Sequence, residues 1–151
     1  MKTIIILLFS LLSSYSYACS CMYSKFGIKD YQNANHVVEG KVIGVAVNQD
    51  QGEKLITFKV TRRIKGKTNK IIQISTGVSS AACGLNISKE DKWLLFVSDY
   101  NGKFSVGLCG KHIRFNNRKG ELRDQRKKKR KLRKQMINQM KEFKKISYNE
   151  Q

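Results

Sequence analysis

Four cysteines and two histidines are the side chains that offer the most chemistry in this sequence. Cys19, Cys21, Cys83 and Cys109 form an even set behind an apolar leader, which reads as two disulfides in an exported domain. The competing chemistry is a four-thiolate zinc site, whose ligands usually arrive as two close pairs. Only Cys19 and Cys21 are close, so the spacing favours disulfides. Those two are too near each other to bridge comfortably. Two connectivities stay open: Cys19–Cys83 with Cys21–Cys109, or Cys19–Cys109 with Cys21–Cys83. Either closes loops of more than 60 residues, which the chain-entropy model values at roughly 4 kcal/mol per bridge.

The histidines, His36 and His112, offer less. No H-E-x-x-H, G-x-S-x-G or Gly-rich phosphate loop is present, so the residue spacings of metalloprotease, serine-hydrolase and nucleotide sites are missing. Oxidised cysteines supply no thiolate nucleophile. The acidic residues fall mostly in turns, in no recognisable pair. Both histidines read as surface or capping residues. The expectation is a protein that is not an enzyme, with no cofactor and no metal of its own.

Cys19 stands at a junction. Residues 1–18 have the form of a secretory signal: Lys2 as the positive start, Ile4 to Leu12 as the apolar stretch, Ser16-Tyr17-Ala18 as the cleavage site. The apolar run ends well short of the roughly 20 residues of a spanning helix, and no later segment is longer or more apolar. Cleavage after Ala18 makes Cys19 the first residue of a mature, soluble protein, secreted to an extracellular or periplasmic space. Lipid anchoring at Cys19 is the rival reading. Such a site usually has Leu three residues before the cysteine and small residues between, where this chain has Ser16 and the bulky Tyr17. A lipidated Cys19 keeps neither a disulfide nor a free amine.

Charge divides the rest. The 151 residues suit about one domain and carry a net charge of +19; residues 118–151 hold 14 of the 30 Lys and Arg. That asymmetry predicts a compact domain over 19–117 followed by a basic tail over 118–151. Arg123, Arg126, Lys127, Lys128, Lys129, Arg130, Lys131, Arg133 and Lys134 crowd one stretch and form a candidate polyanion-binding set. An exported protein meets anionic glycans or lipid headgroups rather than nucleic acid. No Gly or Pro follows Gly120, and a helix is expected over 120–147, with Leu132, Met136, Met140 and Phe143 as its apolar stripe.

The elements that must position the cysteines read mainly as strands. A short helix is expected around 28–34. "HVVEGKVIGVAV" (36–47) predicts a long strand with bulges at Gly40 and Gly44. Residues 54–66 alternate, with Ile56, Phe58 and Val60 on one face. Further strands are expected over 70–76, 92–98 and 104–109, with a small-residue loop at 77–85 and an Asn-Gly hairpin turn at 100–103. Five strands with Gly-spaced bends predict a small closed or nearly closed antiparallel barrel; a sandwich is the alternative.

The mature Cys-Ser-Cys start, "RIKG" closing the second strand, "SSAACGL" and the late "GLC" together resemble the N-terminal domain of the tissue inhibitors of metalloproteinases, the netrin-like branch of OB-folds. The resemblance runs from Cys19 to about Cys109. It implies a five-stranded OB-fold barrel with a short helix, to which this chain adds the basic C-terminal helix. It also selects Cys19–Cys83 and Cys21–Cys109 from the two connectivities. In that family the first residue's α-amino nitrogen and carbonyl chelate the zinc of a metalloproteinase. The second side chain enters the specificity pocket, and the "CG" loop lines the same ridge. By match these roles fall to Cys19, to Ser20, and to Ser80, Ala81, Ala82 and Gly84. The chain departs from the family in having no proline, in lacking that domain's third disulfide, and in carrying a basic helix in place of a disulfide-rich second domain.

Two functions from different classes follow as expectations. One is a metalloendopeptidase inhibitor acting through Cys19, with the zinc belonging to the target protease. The alternative is an exported OB-fold binding module that docks on polyanionic surfaces through its C-terminal helix.

Overall fold

A computed structural model describes residues 19–21, 25–116 and 121–149; the leader expected over 1–18 lies outside them. Helix α1 (Ile28–Asn33) precedes β1 (His36–Asn48), β2 (Glu53–Lys65), β3 (Ile71–Gly77), β4 (Lys92–Tyr100), β5 (Lys103–Ser105), β6 (Ile113–Arg114) and helix α2 (Arg123–Asn149). Neighbouring strands run β1-β2-β3-β5-β4, and β1 pairs again with β4 to close the barrel. Every pairing is antiparallel except β3 with β5. This is an OB-like five-stranded barrel, with β6 added on β4.

Strand β1 makes closure possible because it pairs on both edges. Its first half meets β4 from His36–Val97 to Lys41–Lys92, and its length from Val37 to Asn48 meets β2. Three register shifts coil it: at Val37/Val38, at Glu39/Gly40 and between Val42 and Gly44. The last two sit at the glycines where bulges were expected. At Gly40 a Cβ would stand 2.1 Å from the Lys59 carbonyl oxygen, so only glycine lets β2 approach so closely.

Two apolar clusters flank the barrel wall. Val38, Val42, Ile56, Phe58, Ile72, Ile74, Trp93, Leu95 and Val97 fill the interior. On the outer face, Val37, Leu94 and Phe96 pack under α1 and α2. This two-sided covering explains why Trp93 to Val97 is a continuous buried run rather than an alternating one. Helix α1 is closed at one end by its own Asp30 and at the other by a lysine of β2. The Asp30 carboxylate accepts from the Gly27 N–H at 2.8 Å. Lys65 Nζ, from the end of β2, donates to the Tyr31 and Gln32 carbonyls at 2.7 and 2.9 Å.

Several expectations change. Strand β5 is short, three residues rather than 104–109, because after Val106, whose N–H donates to the Ser75 carbonyl at 3.0 Å, the chain turns away to reach Cys109. The two-residue β6 was not anticipated. Helix α2 docks through Met136, Ile137 and Met140, with Phe143 partly buried beside Phe26 and Tyr31. Leu132, expected in that stripe, is 46 % exposed. The seam follows the 133, 136, 137, 140 positions instead, because Arg133 is held by a buried partner.

That partner is Glu39, 3 % exposed on β1. Its two oxygens accept from Arg133 Nε and Nη2 at 2.6 and 2.7 Å, while the guanidinium lies 4.4 Å over the Phe115 ring. A bidentate, stacked geometry satisfies a buried carboxylate that would otherwise be strongly destabilising. The helix of the basic tail is thus packed onto the barrel. At its start, Arg126 donates to the Glu121 carbonyl at 3.0 and 2.7 Å, and Lys129 pairs with the Glu121 carboxylate.

Candidate functional site

The disulfides set the geometry at one end of the barrel. Cys19 is bonded to Cys83 and Cys21 to Cys109, the pairing the resemblance implies. The Leu108 N–H donates to the Cys83 carbonyl at 2.7 Å, so the two receiving loops are themselves joined. Residues 19–21 are therefore tethered at both ends across that junction, with Ser20 between the bridges and exposed. Among the described residues no cysteine is free, and such a pattern suits an oxidising compartment.

The loop receiving Cys19 is built from below. Leu85 and Ile87 are buried in the interior cluster, and the Thr76 hydroxyl accepts from the Leu85 N–H at 3.0 Å. Gly84 N–H donates to the Ser79 carbonyl at 2.8 Å, and Cys83 N–H to the Ser80 carbonyl at 3.1 Å. The Ser79 hydroxyl accepts from the Ala82 N–H at 3.2 Å. Gly84 faces the end of β3 so tightly that a Cβ there would stand 1.8 Å from the Gly77 carbonyl oxygen. Ser80, Ala81 and Ala82 are exposed above this support, whereas Gly84 is buried beneath it. Gly84 thus sits under the loop that carries residues 80–82.

Both histidines are partly buried and join parts of the fold, His112 by meeting backbone groups as a capping residue does. His36 Nε2 lies 3.2 Å from Asp99 Oδ2, its side chain only 12 % exposed, and its ring stands edge-on to Phe104 at 5.2 Å. Asp99 also accepts from the Gly102 N–H at 2.9 Å, so the pair ties β1 to the β4–β5 turn. His112 Nδ1 accepts from the Phe96 N–H at 3.1 Å, and its Nε2 is 2.9 Å from the Gly107 carbonyl oxygen. This arrangement defines a neutral ring protonated at Nε2. Burial pushes its pKa down to about 4, against a smaller opposing effect of the bond to Gly107.

The nine basic candidates on α2 divide in two. Arg126, Lys129 and Arg133 are committed to Glu121 and Glu39. Arg123, Lys127, Lys128, Arg130, Lys131 and Lys134 are exposed. Beside them lies a groove that the sequence did not show, about 360 Å³, lined by Lys92, Phe115, Asn116, Arg130, Arg133 and Lys134. Glu39 was also missed; its signal was one acidic residue inside the β-branched run "HVVEGKV".

Among the described residues no group of three His, Cys, Asp or Glu is placed to hold a metal ion. No described helix is long and apolar enough to cross a membrane. The class defined by fold and site is a disulfide-stapled OB-like barrel with a docked basic helix. No family model matches the chain, and no curated protein matches it significantly.

Proposed function

We propose that the protein is an exported, non-enzymatic inhibitor of zinc metallopeptidases, acting like the tissue inhibitors of metalloproteinases that its sequence resembles. The observation that carries the reading is the doubly tethered Cys19–Cys21 segment, with Ser20 exposed between its bridges and Cys19 bonded to Cys83, which follows the exposed residues 80–82. A catalytic zinc keeps one coordination position open for water. Once cleavage after Ala18 frees it, the α-amino group of Cys19 and its own carbonyl would displace that water as a five-membered chelate, making the target's zinc five-coordinate. An α-amino group has a reference pKa of about 8, so the neutral ligand form is accessible near neutral pH. Rigidity is the second requirement, because a loose terminus loses ordering entropy on binding. The two disulfides supply it. In this reading the zinc belongs to the target, and the protein brings no cofactor.

The test is inhibition of a panel of zinc metallopeptidases by the chain beginning at Cys19. Acetylating the amine, or placing one alanine before Cys19, removes the chelate and abolishes inhibition while leaving the fold intact. A panel in which the authentic terminus has no effect removes this reading.

A second reading is favoured by a separate observation. The docked α2 helix presents six exposed cations from the candidate set, which suits docking on a polyanionic surface.

A further inference from the structure

The groove beside α2 joins a strand cation to helix cations that are far apart in sequence. Lys92 comes from the start of β4, Arg130 and Lys134 from α2. All three are exposed and have no ion pair among the described residues. Arg133, also on the groove wall, is already neutralised by Glu39. The same buried pair fixes the helix against β1, which sets the positions of Arg130 and Lys134 on the flank next to Arg133. The groove therefore presents three positive charges beside an apolar wall, Phe115. Its size sits at the small end of ligand pockets, about 300–1,000 Å³. That is room for one compact charged unit.

A track leads away from it. At about 100° per residue, Arg123, Lys127, Arg130, Lys134 and Lys141 fall on one flank of α2, spanning about 27 Å. All five are exposed. The apolar stripe of α2, Met136, Ile137 and Met140, is already buried against the barrel, and the exposed Leu132 and Ile146 lie about 21 Å apart along the axis, so the helix offers no continuous apolar face to a bilayer interface. A straight row of charges with one pocket fits a linear chain of repeating anions better than a bilayer.

We propose that this groove is a recognition site for a linear anionic polysaccharide, seating one sulfate- or phosphate-bearing sugar between Lys92, Arg130 and Lys134 while the flank of α2 follows the chain. The proposal rests on the polyanion-docking reading and is independent of the inhibitor reading. It places a specificity element on the barrel, at Lys92, and not only on the basic helix.

Binding of a heparin oligosaccharide to the full mature chain is compared for two triple variants of equal charge. Lys92→Gln with Arg130→Gln and Lys134→Gln empties the groove; Lys70→Gln with Lys128→Gln and Lys131→Gln removes exposed cations elsewhere. Thermal unfolding confirms that both remain folded. The groove variant is expected to lose about tenfold in affinity at low salt, and the control less than about threefold. Equal losses overturn the groove and leave diffuse docking standing. No loss in either variant, or in the two combined, overturns docking as well. Vesicles of equal parts phosphatidylcholine and phosphatidylglycerol, and a DNA duplex, serve as competing occupants. Tighter binding to either, lost in the groove variant, overturns the polysaccharide assignment.

Discussion

Glu39 and Arg133 show how one residue's environment decides a larger contact. Glu39 is buried and fully paired, so removing the arginine strands a charge in the barrel wall. Arg133→Ala is expected to destabilise by about 3 kcal/mol, and Glu39→Leu with Arg133→Met to recover most of it. Urea unfolding of the two variants decides this; a double variant no more stable than Arg133→Ala would remove the buried charge as the cause. His112 makes a second residue-level prediction. Its folded pKa lies below the unfolded value of about 6.5, so the unfolded chain takes up the proton first as pH falls. The neutral ring's contribution is complete above about pH 6.5 and is lost progressively down to about pH 4, on the order of 3 kcal/mol in all. Stability measured between those limits should fall less steeply in His112→Gln than in the native chain. An unchanged slope would place the acid sensitivity elsewhere.

Among the elements, α2 separates what periodicity predicts from what packing selects. Met136 and Met140 were legible as core from helical spacing, and both are buried. Leu132 had the same spacing and the same apolar character, yet the helix is turned by the Glu39–Arg133 pair and leaves it at the edge. Met140→Ala is accordingly expected to cost about 2–5 kcal/mol, while Leu132→Ala stays within about 0.5 kcal/mol. A comparable loss at Leu132 in thermal unfolding would contradict this docking register. The strands were easier to read, since period-two alternation in β2 and the glycines of β1 act locally. Strand β6 has two residues and no pattern of its own. It exists because Ile113 and Arg114 meet β4.

For the molecule as a whole, the disulfides connect both proposed activities to one scaffold. The bridges span 64 and 88 residues, and each is expected to contribute about 4 kcal/mol by restricting the unfolded chain. Mild reduction should therefore lower the melting temperature sharply and abolish metallopeptidase inhibition. Polysaccharide binding should persist as long as the barrel stays folded, because Lys92 and α2 are held by the barrel core and by Glu39. Loss of both activities in parallel, under conditions where circular dichroism reports a folded barrel, would mean the two sites are one.

The barrel, its bulged first strand, the hairpin at Asn101-Gly102 and the excess of basic charge near the C-terminus were all legible in the residues alone. Each of these rests on local chemistry: side-chain alternation, glycine at forced bends, and composition. From Cys spacing alone two connectivities stayed open, and the pairing came from the family resemblance. The tertiary structure decided which basic residues are free and which are spent on Glu39 and Glu121. It also decided that Gly84 is buried beneath residues 80–82, that His112 is a half-buried neutral link, and that Lys92 joins α2 in one groove. These depend on distances between residues remote in sequence, and no local pattern encodes which face of a helix a barrel will cover.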